Sequence, residues 1–262
     1  GAYLGLCKGM EDYLKQIKIQ RILSWGNDNE PAKRDQMINR KIRQEKIAIK
    51  DVKLRTFITA DSARDEMVQH VYDITYGTVR AGEDTLVVID DSIVRGTTLK
   101  ESIIRMLSRL KPKKIIVVSS APQIRYPDCY GIDMSKLGDF IAVRCTIALL
   151  KENGQENIRQ EVYDDIKELE RNNQLHTENL VKKIYKQFTP EMISAKIAAL
   201  ITAPEIDVPV HVIYQTIEDL HKSCPTNTGD WYFTGNYPTS GGNRVVNKAF
   251  INYFEGKNQR GY

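Results

Sequence analysis

Residues 10–24, Met-Glu-Asp-Tyr-Leu-Lys-Gln-Ile-Lys-Ile-Gln-Arg-Ile-Leu-Ser, place apolar side chains such as Met10, Tyr13, Leu14 and Ile17 at helical spacing. Gly, Asn, Asp and Pro between Trp25 and Pro31 break that pattern. Lys33 to Glu45 is polar and predicts a second helix. Ile47, Ile49, Val52, Leu54 and Phe57 then alternate with polar residues and predict one or two strands over 47–58, and Met67 to Tyr76 predicts a helix. Leu86 to Ile89 is a short run of branched apolar residues, as in a strand of a parallel sheet buried on both faces. A helix from Leu99 to about Leu110 follows, and Lys113 to Ser120 is the next parallel strand at βαβ spacing.

From 139 to 201 the chain is rich in Glu, Lys, Leu and Ile with few breakers, which predicts helices. Thr189-Pro190-Glu191 starts one of them with a Thr cap and Pro in the first turn. This stretch is expected to be a solvated helical scaffold or an oligomer contact. Val208 to Gln215 returns as a strand, with a helix over Thr216 to Lys222. His211 alternates with valines there and is expected to be a strand residue rather than a catalyst. The tail from Cys224 to Tyr262 is expected to pack on the domain, with Gly241-Gly242 as a hinge or turn.

The junction at residues 86–98, Leu-Val-Val-Ile-Asp-Asp-Ser-Ile-Val-Arg-Gly-Thr-Thr, carries the chemistry. Asp90 and Asp91 stand at the C-terminal end of a predicted parallel strand, where open α/β sheets bind ligands. Strand alternation predicts that the two carboxylates face opposite sides and serve hydroxyls or a metal. Gly96, Thr97 and Thr98 lead into a helix whose free amides and positive dipole end suit a phosphate. Carboxylates beside such amides describe a sugar-phosphate site. A structural alternative is a capping box between Thr98 and Glu101, which would occupy the hydroxyl.

Composition narrows the classes. The chain of 262 residues is 41% hydrophobic and 27% charged, ordinary for a soluble globular protein. It has no apolar run long enough for a membrane span and no signal peptide pattern. Its four cysteines, Cys7, Cys129, Cys145 and Cys224, suit a reducing cytoplasm. Net charge is +4, with Lys and Arg interleaved among Asp and Glu, which favours an anionic small molecule over nucleic acid. No Ser/His/Asp or Cys/His set for nucleophilic catalysis is visible.

The thirteen-residue junction resembles the phosphoribosyl-pyrophosphate (PRPP) motif of the type I phosphoribosyltransferases, and the string from Asp90 to Thr98 is similar to the glutamine PRPP amidotransferases among them. Three further landmarks resemble that family: Arg55-Thr56-Phe57-Ile58, the loop of residues 121–134 containing Pro-Gln-Ile-Arg-Tyr-Pro and Tyr-Gly-Ile-Asp, and Phe233-Thr234-Gly235-Asn236-Tyr237-Pro238-Thr239. The resemblance implies an α/β, type I phosphoribosyltransferase-like fold, a mostly parallel sheet flanked by helices with a helical insertion. The expected division is a core over 1–150 lacking the family's first strand, an insertion over 151–205 and a C-terminal strand, helix and tail over 206–262.

The implied reaction joins ammonia, delivered from glutamine, to PRPP, giving 5-phosphoribosylamine and pyrophosphate, the first step of de novo purine synthesis. The resemblance assigns Asp90 and Asp91 to the ribose hydroxyls or to Mg²⁺, and Ser92, Arg95, Gly96, Thr97 and Thr98 to the 5′-phosphate loop. It assigns Arg55 and Ile58 to a closing loop and ammonia path.

Departures from the family pattern also set expectations. The family's glutaminase domain has no counterpart in these residues, so the chain is expected to be the C-terminal part of a longer homo-oligomeric enzyme whose glutaminase supplies ammonia. Some relatives hold an iron–sulfur cluster through cysteines at positions matching Asp128, Gly229 and Tyr232, so no cluster is expected. The loop after Ile58 is mixed in charge, with Arg64, Lys50 and Lys53 as candidate pyrophosphate contacts or plain surface charges. Two rivals use the same fold: a regulator that binds PRPP without turnover, and a salvage phosphoribosyltransferase.

Overall fold

The computed structural model describes residues 1–25, 31–45, 48–50, 72–74, 77–131, 134–226 and 229–261, with backbone alone for 48–50 and 72–74. The contact pattern separates Gly1–Ile49 with Ile74–Thr78 from a larger unit that contains Val79–Tyr262.

In the smaller unit, helix α1 (Ala2–Ser24) starts earlier than its pattern predicts, and α2 (Pro31–Ile38) stops short of Glu45. Pro31 opens α2, where a missing N–H costs nothing. Lys18 donates to the Ile38 carbonyl at 2.7 Å and ties the two helices together. Strands β1 (Ala48–Lys50) and β2 (Tyr72–Ile74) pair with each other. The helix expected over 67–76 is therefore not found at Tyr72–Ile74, where the backbone is extended and paired; propensity yields to the partner strand.

The larger unit is an α/β layer. Strands β3 (Thr85–Asp90), β4 (Lys114–Ser119) and β5 (Val210–Tyr214) form a parallel sheet in that order. The register sets Asp90 beside Ser119, and Ser119 beside Tyr214, so these three end one row across the sheet. The β3–β4 connection carries a π-helical turn (Leu99–Ile103) and α3 (Ile104–Ser108). The β4–β5 connection carries a 3₁₀ turn (Leu137–Asp139), α4 (Ile141–Glu152), α5 (Glu156–Arg171), a 3₁₀ stretch (Leu180–Tyr185) and α6 (Pro190–Ile201). After β5 come α7 (Ile217–Ser223), α8 (Trp231–Thr234) and α9 (Ser240–Phe254).

Strand order advances one way across the sheet, and right-handed crossovers therefore set both helical connections on the same face. On that face Leu86, Ile115, Val117 and Val212 are buried. On the other, Val87 is 39% and Ile213 52% exposed. The expectation that the first strand is buried on both faces is thus corrected: it is covered on one.

The stretch 139–201 is not the solvated scaffold expected. Ile141, Val143, Leu150, Ile166, Ile184, Ile193, Ile197 and Ile201 are all core residues, and α6 packs on β5. Thr189 caps α6 by accepting from the Met192 amide at 3.3 Å, as its sequence predicts. Thr216 does the same for α7 at the Asp219 amide.

The tail is pinned to the loop after β4. The Tyr232 carbonyl accepts from the amides of Arg125 and Tyr126 at 2.8 and 3.1 Å, and the Tyr237 hydroxyl donates to the Pro127 carbonyl. Gly241 and Gly242 are not a hinge but the first turn of α9: a Cβ on Gly242 would stand 2.4 Å from the Tyr237 ring. Asn247, fully buried, donates to the carbonyls of Leu175 and Glu178 and accepts from the Leu180 amide, so α9 is fixed by a satisfied amide. Among the described residues no helix is long and apolar enough to cross a membrane.

The Tyr232 hydroxyl donates to Asp128 Oδ1 at 2.8 Å, and Asp128 is only 2% exposed. Removing a donor from a buried carboxylate costs about 1–3 kcal/mol. Tyr232→Phe is expected to lower stability by that amount in urea unfolding; an unchanged midpoint would mean that the tail is held by its backbone contacts alone.

Candidate functional site

The end of β3 is tied down before the loop departs. The Ser120 amide donates to the Asp90 carbonyl at 2.9 Å, and the Ser120 hydroxyl to the Asp91 carbonyl at 3.1 Å. The strand ends at Asp90, so alternation does not carry over to Asp91. Asp91 bends back, its Oδ1 accepting from the Ser92 amide at 2.8 Å. The Asp91 carboxyl is near enough to act on Asp90. Burial, then the neighbouring Asp91 carboxylate, raises the Asp90 carboxyl from 3.8 to about 6.

Beyond them the chain passes Gly96 with φ +74°, a conformation that favours glycine. A Cβ there would meet Ile141 Cδ1 at 2.5 Å and Ile201 Cγ2 at 3.1 Å, so the loop lies directly on α4 and α6. Its carbonyls are engaged on that side: Val94 O accepts from the Ile141 amide at 2.8 Å, and Arg95 O from the Arg144 guanidinium at 2.6 Å. The Lys100 amide bonds to the Gly96 carbonyl at 3.0 Å, which begins the helix one turn before Lys100. Amides of this first turn lack intrahelical acceptors, which makes an anion site.

Thr98 has φ −59° and ψ −39°, already helical, and its side chain makes no capping bond. The capping box is thus absent, and Glu101 lies toward Arg105 instead, at 3.9 Å. Thr97 and Thr98 are exposed at the helix start. Arg95, expected in the phosphate loop, places its guanidinium on Asp139 at 2.9 Å. Arg55 and Ile58, with Lys53 and Arg64, lie outside the described residues, and nothing is described of the Lys50 side chain.

Sequence patterns did not mark the residues that hold this loop in place. Ser120, Asp139 and Arg144 sit in three other segments, and no local spacing links them to the Asp-Asp pair. Tyr214 ends the same sheet row as Asp90, and its buried hydroxyl has no partner among the described residues. Burial, then Cys145 and Asp90, raises that phenol well above its ordinary value. His211 is exposed on the open face of β5, as a strand residue.

No three His, Cys, Asp or Glu side chains converge on one point among the described residues. Mg²⁺ needs no such cage, since it is commonly held by one or two carboxylates, water and substrate phosphates. The Asp90–Asp91 pair fits that donor set, and its mutual repulsion favours a cation. Asp128 and Tyr232 are joined by a hydrogen bond.

No family model matches the chain. It is 48% identical over 60 residues to an amidophosphoribosyltransferase of Pasteurella multocida, covering 23% of this chain and 12% of that protein. Against the amidophosphoribosyltransferases of Lachancea kluyveri and Staphylococcus epidermidis it is 38% identical over 82 residues and 36% over 88, covering 31% and 34% of this chain and 16% and 17% of those proteins. The matched stretches thus span less than a fifth of these relatives' length. Among solved structures, a Bacillus subtilis glutamine PRPP amidotransferase complexed with ADP and GMP aligns over 74% of this chain and 32% of its own, at TM-score 0.40 and 24% identity.

Two outcomes test this geometry. Gly96→Ala should cost about 2–4 kcal/mol in urea unfolding, from the left-handed backbone and the overlap with Ile141. Asp90→Asn should raise the melting temperature at pH 8 and lose that advantage near pH 4. The folded Asp90 carboxyl titrates near 6 rather than 3.8, so its stabilising contribution is complete below 3.8 and disappears as pH rises through 6. Equal melting shifts at both pH values would mean that the pair is not repulsive.

Proposed function

We propose that this chain carries the phosphoribosyl-transfer site of an amidophosphoribosyltransferase, one that makes 5-phosphoribosylamine and pyrophosphate from PRPP and ammonia. The observation that carries this reading is a close pair of carboxylates at the C-terminal end of β3, followed directly by a helix-start amide cradle. The 48% identity over 60 residues to proteins of that name supports it.

Substitution at an anomeric carbon builds positive charge on the sugar ring, so positioning and electrostatics carry most of the catalysis. Asp90 and Asp91 would accept hydrogen bonds from the ribose 2′ and 3′ hydroxyls, directly or through Mg²⁺, and stabilise that charge. Mg²⁺, when bound, supplies charge neutralisation for the leaving pyrophosphate. The amides of the Gly96–Thr98 turn, with the hydroxyls of Ser92, Thr97 and Thr98, would hold the 5′-phosphate. Arg144 and Asp139 hold the loop rigid through the Arg95 carbonyl and side chain. Arg55 and Ile58 would belong to a loop that closes over the substrate and leads ammonia in.

The ammonia comes on this reading from a glutaminase domain outside these residues, in a homo-oligomeric cytoplasmic enzyme of purine synthesis. Four free cysteines are consistent with a reducing compartment.

Calorimetric titration of PRPP with Mg²⁺ is the direct test. The parent is expected to bind saturably, and the double substitution Asp90→Asn, Asp91→Asn to lose at least about tenfold in affinity, about 1.4 kcal/mol. With ammonium salts as nucleophile donor, pyrophosphate release should follow the same order. Equal binding by parent and variant would remove the carboxylates from the site.

A further inference from the structure

A cleft of about 1050 Å³ runs along β5 against α6, and none of residues 90–98 lines it. Ala195, Ala198 and Ala199 of α6 and Val208 and Val210 give it a mainly apolar lining. Arg125 lines it too, and no part of the proposed phosphoribosyl chemistry uses this residue.

Arg125 is fixed at both backbone and side chain. Its amide donates to the Tyr232 carbonyl at 2.8 Å, and its carbonyl accepts from the Tyr185 hydroxyl at 2.9 Å. The guanidinium lies 5.1 Å from the centre of the Tyr185 ring, with Nε and Nη2 donating to Gln123 Oε1 at 3.1 and 2.7 Å. Gln123 is 4% exposed and is held in turn, its Nε2 donating to the Pro190 carbonyl and to Ser194 Oγ, both at 2.8 Å. A guanidinium locked this way has lost its rotamer freedom before any ligand arrives, which favours binding.

The side-chain acceptor is a neutral amide oxygen, and no ion pair to Arg125 occurs among the described residues. Glu191 lines the same cleft, but its carboxylate is drawn below its usual range first by its own backbone N–H and by the Thr189 hydroxyl, with Arg125 a lesser influence. Nη1 has no protein acceptor among the described residues. Asp207 and Glu218 also line the cleft, but a rigid guanidinium whose only side-chain hydrogen-bond acceptor among the described residues is a neutral amide, set beside an apolar wall, is the recognition pattern for an amphipathic anion.

We propose that this cleft is a second ligand site, taking a small organic anion whose carboxylate or phosphate sits on Arg125 and whose apolar body lies along the alanines of α6. The site does not depend on whether the Asp90–Thr98 loop binds PRPP.

The test is a nuclear magnetic resonance titration of the whole chain with benzoate and with phenyl phosphate, using benzyl alcohol as the uncharged control. Both anions are expected to shift the Arg125 Nε–H and the Ala195, Ala198 and Ala199 methyl signals saturably at millimolar concentration, and benzyl alcohol to shift them at least about tenfold more weakly. The tighter of the two anions identifies the head group. Arg125→Lys keeps a charge but loses the planar fork, and Ala199→Leu, at an exposed position, narrows the wall. Each is expected to weaken anion binding, with the signals of Val88 and Thr97 unmoved as evidence of an intact fold. Benzyl alcohol binding as well as benzoate, shifts confined to residues 92–98, or no shift at all would each overturn the proposal.

Discussion

The contact between Gly96 and the side chains of Ile141 and Ile201 is the constraint on which the site depends. The three residues come from the β3–α3 loop, the start of α4 and the end of α6, so one point of close approach joins the whole β4–β5 connection to the loop. No side chain fits there, and the backbone adopts a sign of φ that other residues resist. The loop carbonyls of Val94 and Arg95 are held on the α4 side, and the first-turn amides of the following helix lack intrahelical acceptors. Packing behind the loop thereby creates the polarity in front of it.

The one-sided sheet follows from the same topology. Two right-handed crossovers in one direction stack their helices on one face, and among the described residues the loop at the end of β3 is buttressed from there. This explains why 139–201 contributes so many core residues while looking, in sequence, like a separable polar segment. Its charged positions lie on outer faces, as in α5, where Val162 and Ile166 alone are buried. The apolar stripe is narrow, and composition averaged over the segment hides it.

What the sequence made legible was local. Strands β3, β4 and β5, the caps Thr189 and Thr216 and the Asp90–Thr98 junction are all written in adjacent residues, where period, turn chemistry and order can be followed directly. What stayed hidden was relational. The open face of β3 depends on strand order, which no run of valines encodes. The turn at Asp91, which closes its carboxylate on the Ser92 amide, begins one residue past the strand's end. Gly241-Gly242 looked like a turn because glycines disfavour helices, but Tyr237 lies where a side chain on Gly242 would sit. The partner of the Arg95 side chain was equally hidden, since Asp139 lies forty-four residues on.

These relations also explain the character of the site. Almost every group around it is satisfied: Ser120 holds the strand end, Arg144 the loop carbonyl and Asp139 the Arg95 guanidinium. Two opposite electrostatic features remain, a pair of neighbouring carboxyls that resist ionising together and the positive end of a helix. Neither could relieve the other, because they are held apart by a rigid turn. A ligand that relieves both must present hydroxyls or a cation at one end and a phosphate at the other. On the proposed reading, that requirement is what a phosphorylated sugar with its accompanying metal fulfils, and it follows from the backbone path at Gly96 rather than from any single ligating residue.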